Sequence, residues 1–403
     1  MFNQRKSVLA SPVICLLGIT LGAATPEYHL LKRVEVGGVG VWDYLTYDAS
    51  YHRVFVSRGT HVMVLDGESG ATVGDIPDTL GVHGIALAPD LGKGFTSNGR
   101  TNTVTIFDLK TLRHIGQTPT GQVPDAIIYD PASKRVFTFN GWSDDSTAID
   151  AQSGQPTGTI PLKGRPEFAV ADGKGLVFVN IADKNTVTVI DSQQLTIKAN
   201  WDMPGCKGPT GLSMDRENHR LFAVCQNKVM TIVDAESGKV ITTVPIGAGA
   251  DATVFSPKRS QVFSSNGGDG TLTVVHEDSP NKFTVAQSVA TEDGARTMAL
   301  DEDSGTVYLI TAKVGPKLIL SFILEILYPV VRPAAGWLAG FSVLISMIFL
   351  VRARNRGWPR KLLWCWGTFF VVGLIFAGWY WNYDALLLKL TPQDFHMSMW
   401  RGS

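Results

Sequence analysis

The chain has 403 residues with 36 basic and 36 acidic side chains, so its formal net charge is zero. This balance hides two regions, because residues 26–315 carry 25 basic against 33 acidic side chains, whereas residues 316–403 carry 9 against 3. An acidic first region without a basic stripe excludes nucleic acid as a partner, and the length allows one large core followed by a second region.

The first 25 residues have the pattern of a secretory signal peptide. Two basic residues precede an apolar run over residues 8–21, and a Gly-Ala-Ala segment follows it. Ile14 is too bulky for the position before a lipidated Cys15. We therefore predict a signal peptide over residues 1–25, either cleaved or retained as an anchor, and both alternatives export the chain.

Seven copies of one pattern fill residues 28–315. Each copy has an apolar strand, a turn similar to D-P-x-x-x-R and a second strand similar to V-F-x-x-N-G, as in "DAIIYDPASKRVFTFNG". Most copies continue with a third strand that ends in Asp and a fourth strand with Pro near its end, and successive copies start 40 to 45 residues apart. Four short strands per repeat of this length predict an all-β fold, a seven-bladed β-propeller over residues 26–315.

The segments "RVFVSRG", "VFVNIADKNTVTVID" and "GAGADATVFSP" resemble the YVTN-type propeller family, in particular its bacterial periplasmic, YncE-like branch. The resemblance covers about residues 28–315 and all seven repeats. It implies an exported binding protein with no established enzyme signature. In the related propellers, the third strand of the last blade follows a Pro-rich connector at the very end of the chain.

The seventh blade departs from that pattern. Its first two strands are "RTMALD" and "TVYLIT", and its outer strand is supplied by "YHLLKRVEV" near the N-terminus. For the third strand two alternatives remain open: residues 318–326 form it, or the blade has three strands and residues 317–328 form a helix lying on the membrane. We assign residues 316–333 as a connector or interfacial segment.

Two apolar segments in the second region predict a transmembrane helical hairpin. Residues 334–351 and 362–383 contain no charged side chain and are long enough to cross a bilayer. Residues 352–361, between them, hold five basic side chains and are therefore predicted to be cytoplasmic, which places the propeller and residues 384–403 outside. We expect an extracytoplasmic propeller, in the periplasm or at the cell surface, anchored in the cytoplasmic membrane. A gene fusion or a reading-frame error is the alternative origin of this tail.

One polar position recurs at the start of each innermost strand and predicts a ring at one mouth of the central channel. Its carboxylates and histidine suit a divalent cation or a cationic group of a partner. The alternative is that each residue caps a loop or bonds to the neighbouring blade. The ring consists of Asp43, His83, Asp125, Glu167, Thr210, Asp251 and Arg296. Five of these are candidate metal ligands, namely Asp43, His83, Asp125, Glu167 and Asp251.

The cysteines and the missing motifs limit the cofactors. Cys206 and Cys225 flank the first two strands of blade five, about three residues out of register, and predict either a disulfide or two separate buried thiols. The chain has no C-x-x-C-H for covalent haem, and "GAGADA" lacks the third Gly of a dinucleotide fingerprint. We expect neither haem nor nucleotide, and a divalent cation is the candidate cofactor.

Two functions agree with these observations. The first is a membrane-tethered binding or scaffold module for a protein, a peptide or an envelope component, attracted to the acidic channel mouth. The second is a metal-dependent enzyme that acts on a small molecule at the same mouth. The chain contains no G-x-S-x-G and no H-E-x-x-H, which leaves the second function without a recognised catalytic motif.

Overall fold

The computed structural model describes residues 27–37, 41–312 and 395–402. Within these ranges the chain forms strands and one short 3-10 helix, Pro89–Leu91. No helix in these ranges is long and apolar enough to cross a membrane.

Several predicted segments lie outside the described residues. They are the signal peptide, the connector over residues 316–333, both apolar segments and the basic loop between them.

Seven separate sheets of four antiparallel strands form the blades. In chain order the strands are β1 (Tyr28–Glu35), β2 (Leu45–Asp48), β3 (Arg53–Ser57), β4 (Val62–Asp66), β5 (Thr72–Ile76), β6 (Val82–Ala88), β7 (Lys93–Asn98), β8 (Thr103–Asp108), β9 (His114–Pro119), β10 (Pro124–Asp130), β11 (Arg135–Asn140), β12 (Asp145–Asp150), β13 (Pro156–Pro161), β14 (Pro166–Ala171), β15 (Leu176–Ile181), β16 (Thr186–Asp191), β17 (Thr196–Asp202), β18 (Pro209–Asp215), β19 (Arg220–Cys225), β20 (Val229–Asp234), β21 (Val240–Pro245), β22 (Ala250–Ser256), β23 (Gln261–Asn266), β24 (Thr271–Ser279), β25 (Lys282–Ala290), β26 (Met298–Asp301), β27 (Thr306–Ala312) and β28 (Phe395–Gly402). Blades one to six use four consecutive strands each, from β2–β5 to β22–β25. The seven-bladed propeller predicted from the repeats is thereby confirmed.

Blade seven combines three separate parts of the chain, in the order β26, β27, β28 and β1 from the inside outward. Ala312 at the end of β27 pairs with Phe395 at the start of β28, and Tyr28 of β1 pairs with Gly402. The N-terminal strand is therefore the outer strand, as the sequence predicts.

The third strand of blade seven is neither residues 318–326 nor missing, because β28 fills that position. The helix predicted over residues 317–328 lies outside the described residues. The predicted propeller boundary at residue 315 therefore omits one strand, which belongs to the segment assigned as an extracytoplasmic tail. The physical reason is burial on both faces: Phe395, Met397, Ser398 and Met399 are all buried. A strand of this kind lacks the alternation of polar and apolar residues that marks a half-buried strand.

Buried apolar side chains of the described blades form seven clusters, one at each junction between neighbours. The junction of blades seven and one, for example, packs Val54 and Val56 against Tyr308 and Met397. Each blade is covered on both faces by its neighbours, so the core is a ring and not a single centre.

A buried asparagine at the end of the second strand explains the repeated N-G of the sequence. Asn98 is fully buried, and its amide donates to the hydroxyls of Thr103 and Thr105 at 3.2 and 2.9 Å. Asn140 and Asn266 make equivalent bonds in blades three and six. The asparagine thus satisfies buried polar groups of the second and third strands.

Four blades are tied to the next blade by a basic side chain at the start of their second strand, a contact that we call the inter-blade clasp. The side chain donates to backbone carbonyl oxygens just after the third strand of the next blade. Arg135, for example, donates to the carbonyl oxygens of Ser192 and Gln193 at 2.6 and 3.0 Å. The clasp residues are Arg53, Lys93, Arg135 and Arg220. A hydrogen bond from a charged donor contributes roughly 1.5–3 kcal/mol.

Cys206 and Cys225 form a disulfide, with their Cα atoms 5.6 Å apart. Cys225 pairs with Pro209 across the first two strands of blade five, so the bond ties the loop before β18 to that blade.

We expect that Met397→Ala will lower the free energy of unfolding by about 2–5 kcal/mol, because it leaves a cavity in the junction that closes the ring. Met397 is 0% exposed, whereas Leu31 on β1 is 48% exposed, so Leu31→Ala is the matched control and should stay within about 0.5 kcal/mol. Denaturant unfolding of the full chain measures both. Equal, small effects would mean that Phe395–Gly402 does not complete blade seven.

Candidate functional site

The seven ring positions lie in, or immediately before, the innermost strand of each blade. Innermost strands of neighbouring blades run side by side around the channel, for example β6 next to β10 and β10 next to β14. The structure brings six of the predicted side chains together at one mouth of the channel, and the seventh, Thr210, has a different role.

Asp43, His83 and Asp125 form the tightest group of the mouth. His83 Nδ1 is 2.7 Å from Asp43 Oδ2 and 3.8 Å from Asp125 Oδ1. One donor atom from each of the three residues lies within 4.8 Å of the other two. Among the described residues, these three are the one set of His, Cys, Asp or Glu side chains whose spacing suits a metal ion.

Arg296 places a guanidinium between two carboxylates on the other side of the mouth. Its Nη2 lies 3.4 Å from Asp43 Oδ1, and its Nε lies 3.5 Å from Asp251 Oδ2. This contact joins blades seven, one and six. The ring therefore carries an internal cation that balances part of its negative charge.

Glu167 stands apart from that guanidinium. Its nearest basic partner is Arg165, whose Nε is 3.4 Å from Glu167 Oε1 and whose side chain is 55% exposed. A partner this exposed to water stabilises a carboxylate only weakly.

Thr210 is buried, and its hydroxyl donates to the carbonyl oxygen of Ala250 at 2.9 Å. It therefore ties blade five to blade six, which is the structural role considered as the alternative for every ring position.

An aromatic pair closes the channel beneath the ring. Tyr44 of blade one stacks on Phe168 of blade four, with ring centroids 4.6 Å apart and planes 21° apart. Blades one and four lie on opposite sides of a seven-membered ring, so the two rings meet across the channel. The mouth is thus a bowl with an acidic rim and an aromatic floor.

The sequence contains a signal for this floor that the analysis of repeats missed. The residue after each ring position is small in most repeats but aromatic in two. In chain order these residues are Tyr44, Gly84, Ala126, Phe168, Gly211, Ala252 and Thr297. At Gly211 a Cβ atom would lie 2.7 Å from the carbonyl oxygen of Asp251, which explains why a small residue is required there. The two aromatic exceptions mark where the channel is filled.

The internal guanidinium sets the charge of its two neighbours. Burial alone would raise the pKa of Asp43, but the hydrogen bond from His83 and the charge of Arg296 lower it overall. Burial raises the pKa of Asp251 to about 6, although Arg296 acts in the opposite direction. Both carboxyl groups are therefore ionised or largely ionised at neutral pH.

Both carboxyl groups on the opposite side of the bowl, Asp125 and Glu167, have raised pKa values. Burial raises the pKa of Asp125 despite the charge of His83. Burial and the negative charge of Asp125 raise the pKa of Glu167 to about 8. Burial and the surrounding carboxylates also raise the pKa of the Tyr44 hydroxyl well above its ordinary value. A cation arriving here would find a carboxyl group that must release a proton before it can bind.

No family model matches the chain, and no curated protein matches it in sequence. Among solved structures, the chain is similar to Kuenenia stuttgartiensis hydrazine synthase, with a TM-score of 0.60 and 14% identity over 68% of this chain and 93% of that one. It is also similar to a chain in the crystal structure of the mitotic checkpoint complex, with a TM-score of 0.61 and 15% identity over 76% of this chain and 96% of that one. At this identity the similarity establishes the propeller fold alone.

We expect the protein to lose stability between pH 5 and pH 8, in part through Glu167. In the folded state its pKa is about 8, against 4.5 for the ordinary value, so in this window the folded state holds a proton that the unfolded state has lost. The free energy of unfolding therefore falls as the pH rises. Glu167→Gln should reduce that fall by at least about 1 kcal/mol.

Denaturant unfolding at pH 5 and pH 8 measures this difference, with Glu68→Gln at an exposed site as the control. Burial also raises the pKa of Glu277, to about 7. The free energy of unfolding of Glu167→Gln should therefore still fall, by a smaller amount, as the pH rises. An unchanged pH dependence in Glu167→Gln would contradict the assignment.

Proposed function

We propose that the protein is a membrane-tethered, extracytoplasmic propeller of the YVTN type, whose channel mouth binds a cationic group of a protein, peptide or envelope ligand. The observation that carries this proposal is the uneven neutralisation of the ring. Arg296 lies between Asp43 and Asp251. Burial raises the pKa of Asp125, although His83 and Arg296 act in the opposite direction, and it raises the pKa of Glu167, whose basic neighbour is Arg165, to about 8. A ligand cation supplies the missing charge.

The bowl shape supports binding from one side only. The stacked Tyr44 and Phe168 close the channel, so a ligand enters from the mouth and meets an aromatic ring beneath the carboxylates. Carboxylates with an aromatic face are a favourable environment for an ammonium or guanidinium group. The acidic rim also accelerates the approach of a cationic partner at low salt.

The structural neighbours support both a binding role and a catalytic role for this fold. One belongs to a protein assembly, the mitotic checkpoint complex, and the other is named hydrazine synthase. The alternative function, a metal-dependent enzyme acting on a small molecule, is favoured by the spacing of Asp43, His83 and Asp125. Two carboxylates and one imidazole suit Mn²⁺ or a similar divalent ion.

Isothermal titration of the full chain in detergent with acetyl-tetralysine amide tests the proposed binding. At pH 7 we expect binding with proton release, seen as a difference between buffers of unequal ionisation enthalpy, because Glu167 must ionise. The double variant Asp125→Asn, Glu167→Gln should bind at least about tenfold more weakly, and Glu68→Gln should not change the affinity. No binding, or equal binding by the double variant, would refute the proposal.

Mn²⁺ titrated into the same samples separates the two functions. The metal-dependent enzyme is favoured if the unaltered protein binds Mn²⁺ stoichiometrically but does not bind the tetralysine peptide, and if His83→Ala no longer binds Mn²⁺.

The pairing of Ala312 with Phe395 supports the membrane anchor. Residues 313–394 leave and rejoin the propeller at one point of blade seven, so any part of them that crosses a bilayer must do so an even number of times. Two apolar segments of sufficient length, separated by a basic loop, meet this condition.

Replacing residues 313–394 by Asn-Gly tests the anchor, because a two-residue turn suffices to join a paired hairpin. We expect the full chain to stay with membranes after washing with alkaline carbonate, and the shortened chain to be released as a folded propeller. Near-UV circular dichroism of the shortened chain checks its folding. Release of both proteins, or retention of both, would show that residues 313–394 are not the anchor.

A further inference from the structure

The junction between blades four and five lacks the inter-blade clasp. Leu176 is the first residue of β15 and pairs with Asp191, just as the clasp residue Arg135 is the first residue of β11 and pairs with Asp150. An apolar side chain therefore stands where four other blades have arginine or lysine.

The acceptors of the missing clasp are still present. The carbonyl oxygens that clasps use belong to the two residues after the third strand in blades two, three and four. In blade five the third strand ends at Asp234, so the equivalent oxygens are those of Ala235 and Glu236. Within the described part of the chain, no backbone or side-chain donor is bonded to either oxygen.

A groove of about 380 Å³ lies where the clasp is missing. Leu176, Phe178 and Trp201 line it from blade four, and Ala235 and Glu236 line it from blade five. Phe178 and Trp201 pack against each other with centroids 5.9 Å apart. The groove thus joins an apolar, aromatic wall to Ala235 and to two carboxylates, Asp172 and Glu236, of which Glu236 lies 2.7 Å from Nδ1 of His219.

Trp201 is fixed in this wall by Gly238. A Cβ atom at Gly238 would lie 2.2 Å from the indole, and its φ of +74° is one that glycine adopts readily. Gly238 thus packs directly on one face of the indole, and Trp201 forms part of the groove lining.

Lys174, Lys198, Arg216 and His219 also line the groove, and Lys198 and Arg216 have partners on blade four. Lys198 Nζ is 3.6 Å from Asp191 Oδ2. Arg216 donates through Nε and Nη2 to the carbonyl oxygen of Ala171 at 3.0 and 2.7 Å. Neither is hydrogen-bonded to the two carbonyl oxygens of blade five.

We propose that this groove binds an arginine side chain presented by a partner protein. Four of the seven blades place a basic side chain at this position, three of them arginine, whereas blades six and seven have Gln261 and Thr306 there. The alkyl stem would pack on Leu176 and Trp201, and the guanidinium would donate to Ala235 and Glu236. The inference extends the proposed binding function to a second site, on a different part of the propeller from the channel mouth.

Titration of the full chain in detergent with acetyl-Gly-Arg-Gly-amide tests the groove, monitored by NMR of ¹⁵N-labelled tryptophan indoles. The Trp201 signal, assigned by its loss in Trp201→Phe, should shift and saturate. The citrulline peptide has the same shape without the charge and should bind at least about tenfold more weakly. Equal binding of the citrulline peptide, or of acetyl-Gly-Glu-Gly-amide, would overturn the proposal. Tighter binding of free arginine would also overturn it, because it would indicate a small-molecule site.

Leu176→Arg tests the proposal most directly, because the chain's own arginine would then occupy the position of the missing clasp. We expect it to raise the Tm relative to the apolar control Leu176→Met and to reduce binding of the arginine peptide by at least about tenfold. Retention of peptide binding in Leu176→Arg would overturn the proposal.

Arg135→Leu keeps the proposal testable if Leu176→Arg does not fold. This change empties the clasp between blades three and four and should lower the Tm, and the arginine peptide, but not the citrulline peptide, should restore part of the loss. If the arginine peptide rescues Arg135→Leu but does not shift the Trp201 signal of the unaltered protein, the groove between blades four and five is not a binding site. The double variant Asp125→Asn, Glu167→Gln should leave the Trp201 response intact, so failure at the channel mouth and failure at the groove are distinguishable.

Discussion

The structure depends on one constraint, which is that a four-stranded blade has two apolar faces and cannot cover either of them alone. Every blade must be packed between two others, and this holds only when the ring closes. Blade seven provides the closure, and it requires both β1 and β28. Strands from distant parts of the chain meet in one sheet, so loss of either would expose the apolar face of blade one.

The functional features of the described residues lie where a repeat departs from its neighbours. The seven repeats form blades of the same kind, but two of them place aromatic rings in the channel, and blade four has Leu176 where four blades have a clasp residue. A repeat fold tolerates such exceptions because each blade contacts only its neighbours, so the cost of a change stays local. The positions where a repeat departs from its neighbours are therefore candidate sites, because such a change does not prevent the ring of blades from closing.

The mouth of the channel shows how the ring concentrates charge. Each blade contributes one side chain from an equivalent position, so the symmetry brings several carboxylates close together. Burial and their mutual repulsion raise the pKa of Glu167, while the hydrogen bond from His83 and the charge of Arg296 hold the pKa of Asp43 low despite its burial. The bowl is therefore divided into an ionised side and a side that retains a proton, and this division gives it a preference for an added cation.

The sequence by itself determined the number of blades, the length of each repeat and the positions of the ring, because period and strand pattern are local properties of the chain. It also identified the N-terminal outer strand and left the pairing of Cys206 with Cys225 as one of two alternatives. Only the tertiary structure placed β28 in blade seven, because a strand buried on both faces, and far along the chain from its partner β27, has no local signature. The tertiary structure also decided that Thr210 bonds to the backbone of blade six, that Tyr44 meets Phe168 across the channel and that Leu176 lines one groove with Ala235 and Glu236. Contacts between blades depend on which side chains the closed ring brings together, and no local pattern in the chain encodes the distance between side chains of different blades.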